Sequence, residues 1–198
     1  MADEKRPYRM KRRAELEELT RRRITESAVA LHGTLGPART SISALAEHAG
    51  VRRSTVYRHF PDEASLFAAC NAHWMAENPV PDIGAWAAVE DPSARLRAAL
   101  DALYPYYRST ARMMENLIRD EPVSEVVREN FAGYRGYLAA AREELVRGRR
   151  SRGRARSRER AVIGHALAFG TWRSLALDEG LDDAQAAELM VRLVDCER

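Results

Sequence analysis

Apolar residues recur at spacings of three and four along most of the chain, and this periodicity is the feature that most constrains the fold. Ile24, Ala28 and Leu31 form one such stripe, and this spacing places their side chains on one face of an α-helix. No run alternates apolar and polar residues long enough to predict a β-strand. The sequence therefore predicts an all-α fold, and hydrophobic residues, at 45% of the chain, are numerous enough to give it a core.

Helix-ending residues divide this pattern into a three-helix head and a C-terminal body of about six helices. Gly33, Gly36 and Pro37 end the first helix, because glycine and proline interrupt a helical run. The segment Asn78–Pro92, with three prolines and one glycine, is predicted to be a linker. The predicted helices are Ala14–His32, Ile42–Ala49, Ser54–Phe60, Asp62–Glu77, Pro92–Arg108, Ala111–Asp120, Pro122–Arg147, Arg158–Asp178 and Asp182–Asp195.

Residues 39–60 have the pattern of a helix-turn-helix motif. Thr40 or Ser41 can cap the first helix, and Gly50 can take the positive φ of the sharp turn that follows it. In the second helix, Val56 and Phe60 lie on the inner face at i and i+4. The residues left on its outer face or edge are Arg53, Ser54, Thr55, Tyr57, Arg58 and His59. Hydroxyl and cationic side chains in this arrangement suit a helix that lies in the major groove of duplex DNA.

This segment resembles the head of the TetR family of bacterial regulators, without a gap over about forty residues. The matching residues are Ala28, Leu31, Gly36, Thr40-Ser41, Leu45-Ala46, Ala49-Gly50-Val51, Thr55-Val56-Tyr57, His59-Phe60 and Leu66. The resemblance implies a homodimer that places two recognition helices in successive major grooves of a palindromic DNA operator. It also implies a repressor that is released by a small apolar or aromatic effector.

The resemblance further implies which residues contact DNA. Residues Tyr57, His59 and Thr40 would contact phosphate, whereas Arg58 would contact phosphate or base. The residues nearest the base edges would be Arg53, Ser54 and Thr55. The complete predicted DNA-binding set is Thr40, Ser41, Arg52, Arg53, Ser54, Thr55, Tyr57, Arg58 and His59. The alternative for Tyr57 and His59 is that both only pack the head.

Three residues depart from the family pattern. Arg52 stands where the family usually has a capping serine, so the recognition helix loses a cap and gains a charge that attracts phosphate. Glu63 stands where a lysine commonly meets the DNA backbone, and its carboxylate instead favours the start of its own helix. His32 replaces a usual phenylalanine, and we expect it at the edge of the core rather than in a ligand or sensor role.

Positive charge is concentrated in two segments. The N-terminal one contains Lys5, Arg6, Arg9, Lys11, Arg12 and Arg13, and it is either an arm that reaches DNA or a frayed tail. The other, Arg147–Arg160, carries eight arginines and one carboxylate. Its residues 148–157 are predicted to form a mobile Arg-rich loop, with added nonspecific affinity for nucleic acid as the alternative.

The body carries a set of aromatic and apolar residues that could line an effector cavity between helices. The set is Trp74, Tyr104, Tyr107, Met114, Leu117, Tyr134, His165, Phe169 and Trp172, with His165 as a polar anchor. The alternative is that most of these side chains are core. The domain division that follows is a basic arm at 1–13, a helix-turn-helix domain at 14–61, and an effector-binding and dimerisation domain at 62–198.

The last two predicted helices have broad apolar stripes. These stripes contain Ile163, Leu167 and Gly170 on one helix, and Ala186, Met190, Leu193 and Val194 on the other. We expect a second copy of the chain to cover them in a four-helix contact. The alternative is that they fold back onto the same chain.

Other classes of protein are disfavoured by missing signals. The sequence has no nucleotide-binding glycine pattern, no nucleophile elbow and no metal-ligand spacing among its five histidines, so we expect no enzyme, no cofactor and no metal site. Cys70 and Cys196 are expected to be buried free thiols. No secretory signal or membrane span is predicted, so we expect a cytoplasmic protein. A DNA-binding regulator that has no small-molecule effector, and responds to a protein partner or to nothing, stays open as the second interpretation.

Overall fold

The structure is a computed structural model that describes the backbone of residues 5–196 and the side-chain surroundings of residues 10–196. Every regular element in this range is helical, so the predicted all-α fold class is confirmed. The α-helices are α1 Lys5–Thr34, α2 Ile42–His48, α3 Arg53–His59, α4 Glu63–Glu77, α5 Ile83–Ala87, α6 Pro92–Asp120, α7 Glu125–Val146, α8 Gly153–Ala166, α9 Phe169–Arg173 and α10 Asp183–Asp195. A 3₁₀ turn occupies Pro37–Arg39 and a π-helical turn occupies Ser174–Asp178.

The N-terminal part of the chain is more helical than predicted. Helix α1 begins at Lys5 rather than at Ala14, so residues 5–13 are helix and not an extended arm. The exposed Lys11, Arg12 and Arg13 lie on this helix. The predictions for residues 1–4, and for the side chains of Lys5, Arg6 and Arg9, lie outside the described residues.

Helix α6 is one helix of 29 residues where two were predicted. The Asp91 carboxylate accepts hydrogen bonds from the N–H groups of Ser93 and Ala94 at its start. Near the predicted break, the Thr110 hydroxyl donates to the carbonyl of Tyr106 at 2.7 Å, one turn earlier. That hydrogen bond satisfies the buried hydroxyl within the helix, so the threonine is accommodated without a break.

The segment around the Arg-rich loop also differs from the prediction. Helix α8 begins at Gly153, which takes a φ of +55°, so half of the predicted loop is helical. The single helix predicted over Arg158–Asp178 is broken, because α8 ends at Ala166 and α9 starts at Phe169. The thiols also differ from each other: Cys70 is buried and Cys196 is exposed, and both are free.

Contacts divide the chain into two compact units. The first contains Met1–Asn78 and Glu115–Asn130, and the second contains Pro79–Met114 and Phe131–Arg198. Helices α6 and α7 each contribute residues to both units. Helix α4 therefore groups with the head, although the sequence-based division placed it in the body.

The core of the first unit joins α1, α2, α3 and α4. Its fully buried side chains include Ile24, Ala28, Leu45 and Val56, each 0% exposed. Burial of this apolar area contributes about 25 cal/mol per Å² removed from water. Helices α1, α2, α3 and α4 are therefore held together by one shared apolar core.

The second unit contains a buried arginine that joins three segments of the chain. Arg95 on α6 is 2% exposed. Its guanidinium donates to the carbonyls of Val89 at 2.8 Å and Glu90 at 2.9 Å, and to the carbonyl of Arg147 at 2.8 Å. The side chain thus ties the α5–α6 connection to the end of α7, where carbonyl groups lack helical partners.

A second buried cation lies within the predicted Arg-rich loop. Arg149 forms an ion pair with Glu159 at 3.1 Å, and both side chains are only 1% exposed. Its guanidinium also donates to the carbonyl of Pro92 at 3.0 Å, and the hydroxyl of Ser151 donates to Glu159. This segment is therefore anchored at Arg149, and the expectation of a mobile solvated loop is wrong there.

Removal of the carboxylate partner of Arg149 should destabilise the protein strongly. We expect Glu159→Gln to lower the free energy of unfolding by about 3 kcal/mol, because a buried charge left without its partner is costly. Asp195, at 3.6 Å from Arg149, keeps this value at the lower end of the usual range. Urea unfolding of the variant and the wild type measures the difference.

The matched control is Glu143→Gln, which breaks the exposed ion pair between Glu143 and Arg160 on α7 and α8. An exposed pair contributes little, because water solvates both charges in either state. Equal unfolding curves for the two variants would contradict the structural role of the buried pair.

Candidate nucleic-acid interface

Helix α2 begins at a serine cap. Ser41 Oγ accepts a hydrogen bond from the backbone N–H of Ala44 at 3.1 Å, so it satisfies one N–H group that a helix start leaves unpaired. Thr40 Oγ1 instead donates to the carbonyl of Gly36 at 2.8 Å. Of the two predicted caps, Ser41 fills the role. Thr40 already uses its proton within the head.

The turn between α2 and α3 has the predicted glycine geometry. Gly50 takes a φ of +61°, which costs little only for a residue without a side chain. The N–H of Val51 then donates to the carbonyl of Ala46 at 2.9 Å. Arg52 occupies the position before α3 and makes no side-chain cap, since a guanidinium has no acceptor atom. Both expectations for this turn are confirmed.

Helix α3 is held at its C-terminal end by an arginine of α1. Arg21 Nη1 donates to the carbonyl of His59 at 2.7 Å, and its guanidinium lies 4.2 Å from the centre of the Phe60 ring. A cation at a helix C-terminus satisfies free carbonyls and interacts favourably with the helix dipole. Together with the buried Val56 and Phe60, this contact fixes the rotation of α3.

The opposite face of α3 is polar and cationic. The side chains of Arg52, Arg53, Ser54, Tyr57 and Arg58 are exposed, and those of Thr55 and His59 are half-buried. No residue from Arg52 to His59 is a carboxylate. The structure therefore exposes Arg52, Arg53, Ser54, Tyr57 and Arg58 to solvent and places Thr55 and His59 at the edge of the core. Their contacts with DNA stay predictions.

Two aromatic residues of this face differ in accessibility. Tyr57 is 48% exposed, and no hydrogen bond to its hydroxyl is found among the described residues. His59 Nε2 is buried and lacks a hydrogen-bond partner in the same range. Desolvation, followed by the charges of Arg58 and Arg21, lowers the pKa of His59.

Acidic residues favour the start of α4, as the sequence predicts for Glu63. Asp62 caps the helix, because its Oδ1 accepts from the N–H of Ser65 at 2.7 Å. The hydrogen bonds from Ser65 lower the pKa of Asp62. Glu63 is exposed in the first turn, where negative charge is favourable.

The end of α6 contacts the loop that precedes α2, within the first unit. Asp120, 2% exposed, accepts a hydrogen bond from the N–H of Ala38 at 3.0 Å. Arg119 Nη2 donates to the carbonyl of Leu35 at 2.7 Å, and its Nε donates to Asp120 at 2.8 Å. These bonds hold the loop at both ends.

Gly36 makes this approach possible. It takes a φ of +94°, and a Cβ at this position would clash with Arg119 and Asp120. Asn116 Nδ2 adds a hydrogen bond to the carbonyl of His32 at 2.9 Å. The sequence analysis found Gly36 as part of a motif but missed its partners, because these lie about eighty residues further along the chain.

The residues predicted to line an effector cavity do not form one group. Trp74 and Leu117 belong to the first unit, and His165 is exposed and bonded to Thr171. The others belong to the core of the second unit, where Tyr134 is half-buried and the rest are buried: Tyr104, Tyr107, Met114, Phe169 and Trp172. Their role in ligand binding stays a prediction.

The hydroxyl groups in this core already have partners. Tyr104 donates to the carbonyl of Ala166 at 3.0 Å, and Tyr107 donates to that of Leu167 at 2.6 Å. The hydroxyl of Tyr134 lies 2.7 Å from that of Tyr107, and burial raises the pKa of Tyr107. Trp86 differs, because its buried Nε1 has no hydrogen-bond partner among the described residues. It is the polar group of this core that the sequence analysis missed.

Most of the apolar stripe predicted for a dimer contact packs within the chain instead. Ile163 and Leu167 are buried, as are Ala186, Met190 and Val194. Of the predicted stripe, Gly170 and Leu193 are exposed, and Leu189 lies one turn before Leu193 on the exposed side of α10. The surface available for a second copy is therefore narrower than predicted.

The structure also bears on metal binding and on membrane insertion. The described residues contain no group of three or more His, Cys, Asp or Glu that could hold a metal ion. None of the helices in the described range is long and apolar enough to cross a membrane.

Comparison with known proteins supports the DNA-binding head. Residues 24–70 match the family model described as bacterial regulatory proteins, tetR family. This range contains α2, α3 and the whole outer face of α3 described above. No curated protein sequence matches the chain. The resemblance predicted from residues 28–66 is confirmed by the family match, which also agrees with the expectation that the chain is not an enzyme.

The whole fold is similar to solved structures of low sequence identity. A candidate TetR-family regulator from Mesorhizobium loti has a TM-score of 0.61 at 17% identity, over 91% of this chain and 96% of that one. A candidate fatty acid metabolism regulator from Clostridium perfringens has a TM-score of 0.61 at 15% identity, over 87% and 97%. A TetR-family regulator from Streptomyces coelicolor has a TM-score of 0.57 at 20% identity, over 91% and 79%. These similarities establish the fold.

The buried His32 makes the stability of the head depend on pH. Burial lowers the pKa of His32 from 6.5 to about 4, and Asp120 offsets this only in part. Between these pH values the unfolded chain is protonated at His32 and the folded chain is not. Stability is therefore lost as the pH falls from 6.5 to 4, by about 3 kcal/mol from this residue.

His32→Phe should remove that loss. We expect the variant to be at least as stable as the wild type at pH 7, because a phenyl ring needs no hydrogen bonds when buried. Its unfolding free energy should fall less between pH 7 and pH 4.5, as measured by urea unfolding at both pH values. The same fall in both proteins would show that His32 is not the titrating group.

Proposed function

We propose that this chain, whose head is that of the TetR family, is a transcriptional regulator that binds a palindromic operator in duplex DNA as a homodimer. The outer face of α3 carries this proposal. It presents Arg53, Ser54 and Thr55 near the helix start, with Tyr57 and Arg58 further along. Arginine can pair with both acceptors of guanine in the major groove, and serine or threonine can contact any base.

Residues beside this face can contact the phosphate groups of the DNA backbone. The free O–H of Ser41 and the hydroxyl of Tyr57 can each donate to a phosphate oxygen. Arg52 adds a positive charge at the turn. Phosphate contacts position a protein on DNA and base contacts make it specific, so the head combines both requirements on one surface.

Dimerisation would set the spacing of two such heads. Half-sites one helical turn apart lie about 34–36 Å from centre to centre. The exposed Leu189 and Leu193 on α10 are the apolar residues we assign to the contact between copies. A two-fold contact uses the same surface patch on both copies, so each copy contributes both leucines to it.

The response to a signal is the finer part of the proposal. We expect a repressor in the bacterial cytoplasm that a small apolar or aromatic effector releases from DNA. Trp86 Nε1, an unpaired donor in the aromatic core of the second unit, is the group we assign to such an effector. A shift of α6, which ends at Asp120, would move the Ala38 loop and the start of α2.

A regulator without an effector is the second candidate. The observation that favours it is the hydrogen bonding of Tyr104 and Tyr107 to backbone carbonyls within the core. An effector that used these hydroxyls would have to break bonds that are already made. A thermal-shift screen of small apolar and aromatic compounds separates the two candidates.

Substitutions on α3 should abolish tight binding to the operator. We expect Arg53→Ala and Tyr57→Ala each to weaken affinity by tenfold or more, because each well-placed contact is worth about 1–3 kcal/mol. An operator selected from random duplex DNA, followed by fluorescence anisotropy over a range of salt concentrations, provides the measurement. The control is Arg97→Ala, which removes an arginine of α6 that is paired with Asp101.

The salt dependence distinguishes charged from neutral contacts. Loss of an arginine–phosphate contact in both copies of the dimer lowers the slope of log affinity against log salt by about two, whereas loss of the neutral Tyr57 hydroxyl leaves the slope almost unchanged. Full operator affinity in both α3 variants would refute the assigned recognition face.

A charge on the exposed side of α10 should separate the copies. We expect Leu193→Glu to convert the dimer to a monomer in sedimentation velocity experiments, because two buried carboxylates would face each other across the two-fold axis. Val123→Glu, at a residue 76% exposed in the α6–α7 turn, is the control for the same substitution. A Leu193→Glu protein that stays dimeric would place the contact elsewhere.

A further inference from the structure

The head contains a cleft of about 410 Å³ that lies beside three of the predicted DNA-binding residues and extends into the apolar core. This volume lies within the range of about 300–1,000 Å³ that is typical of small-molecule sites. Its walls come from the end of α1, the 3₁₀ turn and helices α2, α3 and α4. The apolar part of the wall is formed by Pro37, Ile42, Leu45, Phe60, Leu66 and Phe67.

One buried polar side chain lines this cleft without a partner. His32 is 7% exposed, and no hydrogen bond to its ring nitrogens is found among the described residues. Its ring stacks on Phe67, with 5.6 Å between the ring centres and 26° between the planes. A neutral imidazole has one N–H donor and one nitrogen acceptor, and neither ring nitrogen of His32 is among the fully buried polar atoms that lack a partner, so both can be reached by solvent or by a ligand in the cleft. A bound molecule with a polar atom would satisfy them.

The charges around the cleft select against anions. Asp62 and Glu63 contribute carboxylates, and Tyr57, Thr40 and Ser41 contribute hydroxyls. The lining residues in the described range include no lysine or arginine. The apolar walls suit an aromatic ring, and the polar side chains suit a ligand group that is neutral or positively charged. The carboxylates of Asp62 and Glu63 repel a negatively charged ligand.

We infer that this cleft is a binding site for a small aromatic molecule that is neutral or carries an amine, with His32 as its buried polar contact. The same Thr40, Ser41 and Tyr57 line the cleft and belong to the predicted DNA-binding set. A ligand that engages these side chains removes them from DNA. The site therefore acts directly on the DNA-binding head, and this consequence rests on the proposed function.

The test uses three probes that share one ring system: indole, tryptamine and indole-3-acetate. Isothermal titration calorimetry on the full-length protein measures their affinities without DNA. Tryptamine and indole should bind, and indole-3-acetate should bind at least tenfold more weakly than tryptamine. In NMR spectra of labelled protein, tryptamine should shift the amide signals of His32, Tyr57 and Phe67.

His32→Phe is the decisive variant, because it keeps an aromatic ring and removes both nitrogens. It should weaken tryptamine binding at least tenfold, whereas His48→Phe, at an exposed histidine of α2, should bind as the wild type does. Ala38→Phe, which fills the cleft from its rim, should also lose binding. Circular dichroism melting curves verify that each variant is folded. Unchanged tryptamine affinity in folded His32→Phe, or no binding by the wild type, overturns the site.

A separate measurement tests the consequence for DNA. Tryptamine should lower operator affinity in the wild type and leave that of His32→Phe unchanged. Tryptamine binding with no effect on operator affinity would overturn the antagonism and leave the ligand site established. A chain that binds no duplex would refute the proposed function, while the calorimetry still decides the cleft independently.

Discussion

The burial of Val56 and Phe60 is the constraint on which the DNA-binding surface depends. These two residues, four apart on α3, are 0% and 2% exposed and share one core with Ile24 and Leu45. A helix with one face fixed in a core has its other face fixed toward solvent. The position of every outer residue of α3 follows from this packing, and the contact of Arg21 with the helix end limits the remaining rotation.

The local features of the head could be predicted from the sequence because their causes are local. The predicted bounds of α2 and α3 agree with the structure within one residue at each end. The Ser41 cap, the turn at Gly50 and the inward pair Val56 and Phe60 all lie within about twenty residues. Each has a steric or hydrogen-bonding cause that needs no distant partner. The same holds for Asp62 at the start of α4.

The features that the sequence analysis missed depend on partners far along the chain. Arg149 lies in a segment so rich in arginine that a solvated loop was expected, and only the fold brings Glu159 and Pro92 to it. Asp120 and the Ala38 loop are joined across 82 residues. Periodicity identifies an apolar stripe but does not identify what covers it. The stripes of α8 and α10 are therefore covered largely by their own chain, although a second copy was expected.

The distribution of unpaired polar groups bears on where a small molecule can act. In the second unit, Tyr104 and Tyr107 have bonded hydroxyls, so a ligand gains little from them. In the head, His32 is buried without a partner beside a cleft that reaches Tyr57. Burial lowers the pKa of His32 to about 4, so at acidic pH the histidine costs stability that a phenylalanine at this position would not. A ligand bound in the cleft would contact Tyr57 as well as His32, and this would couple its binding to the residues proposed to contact DNA.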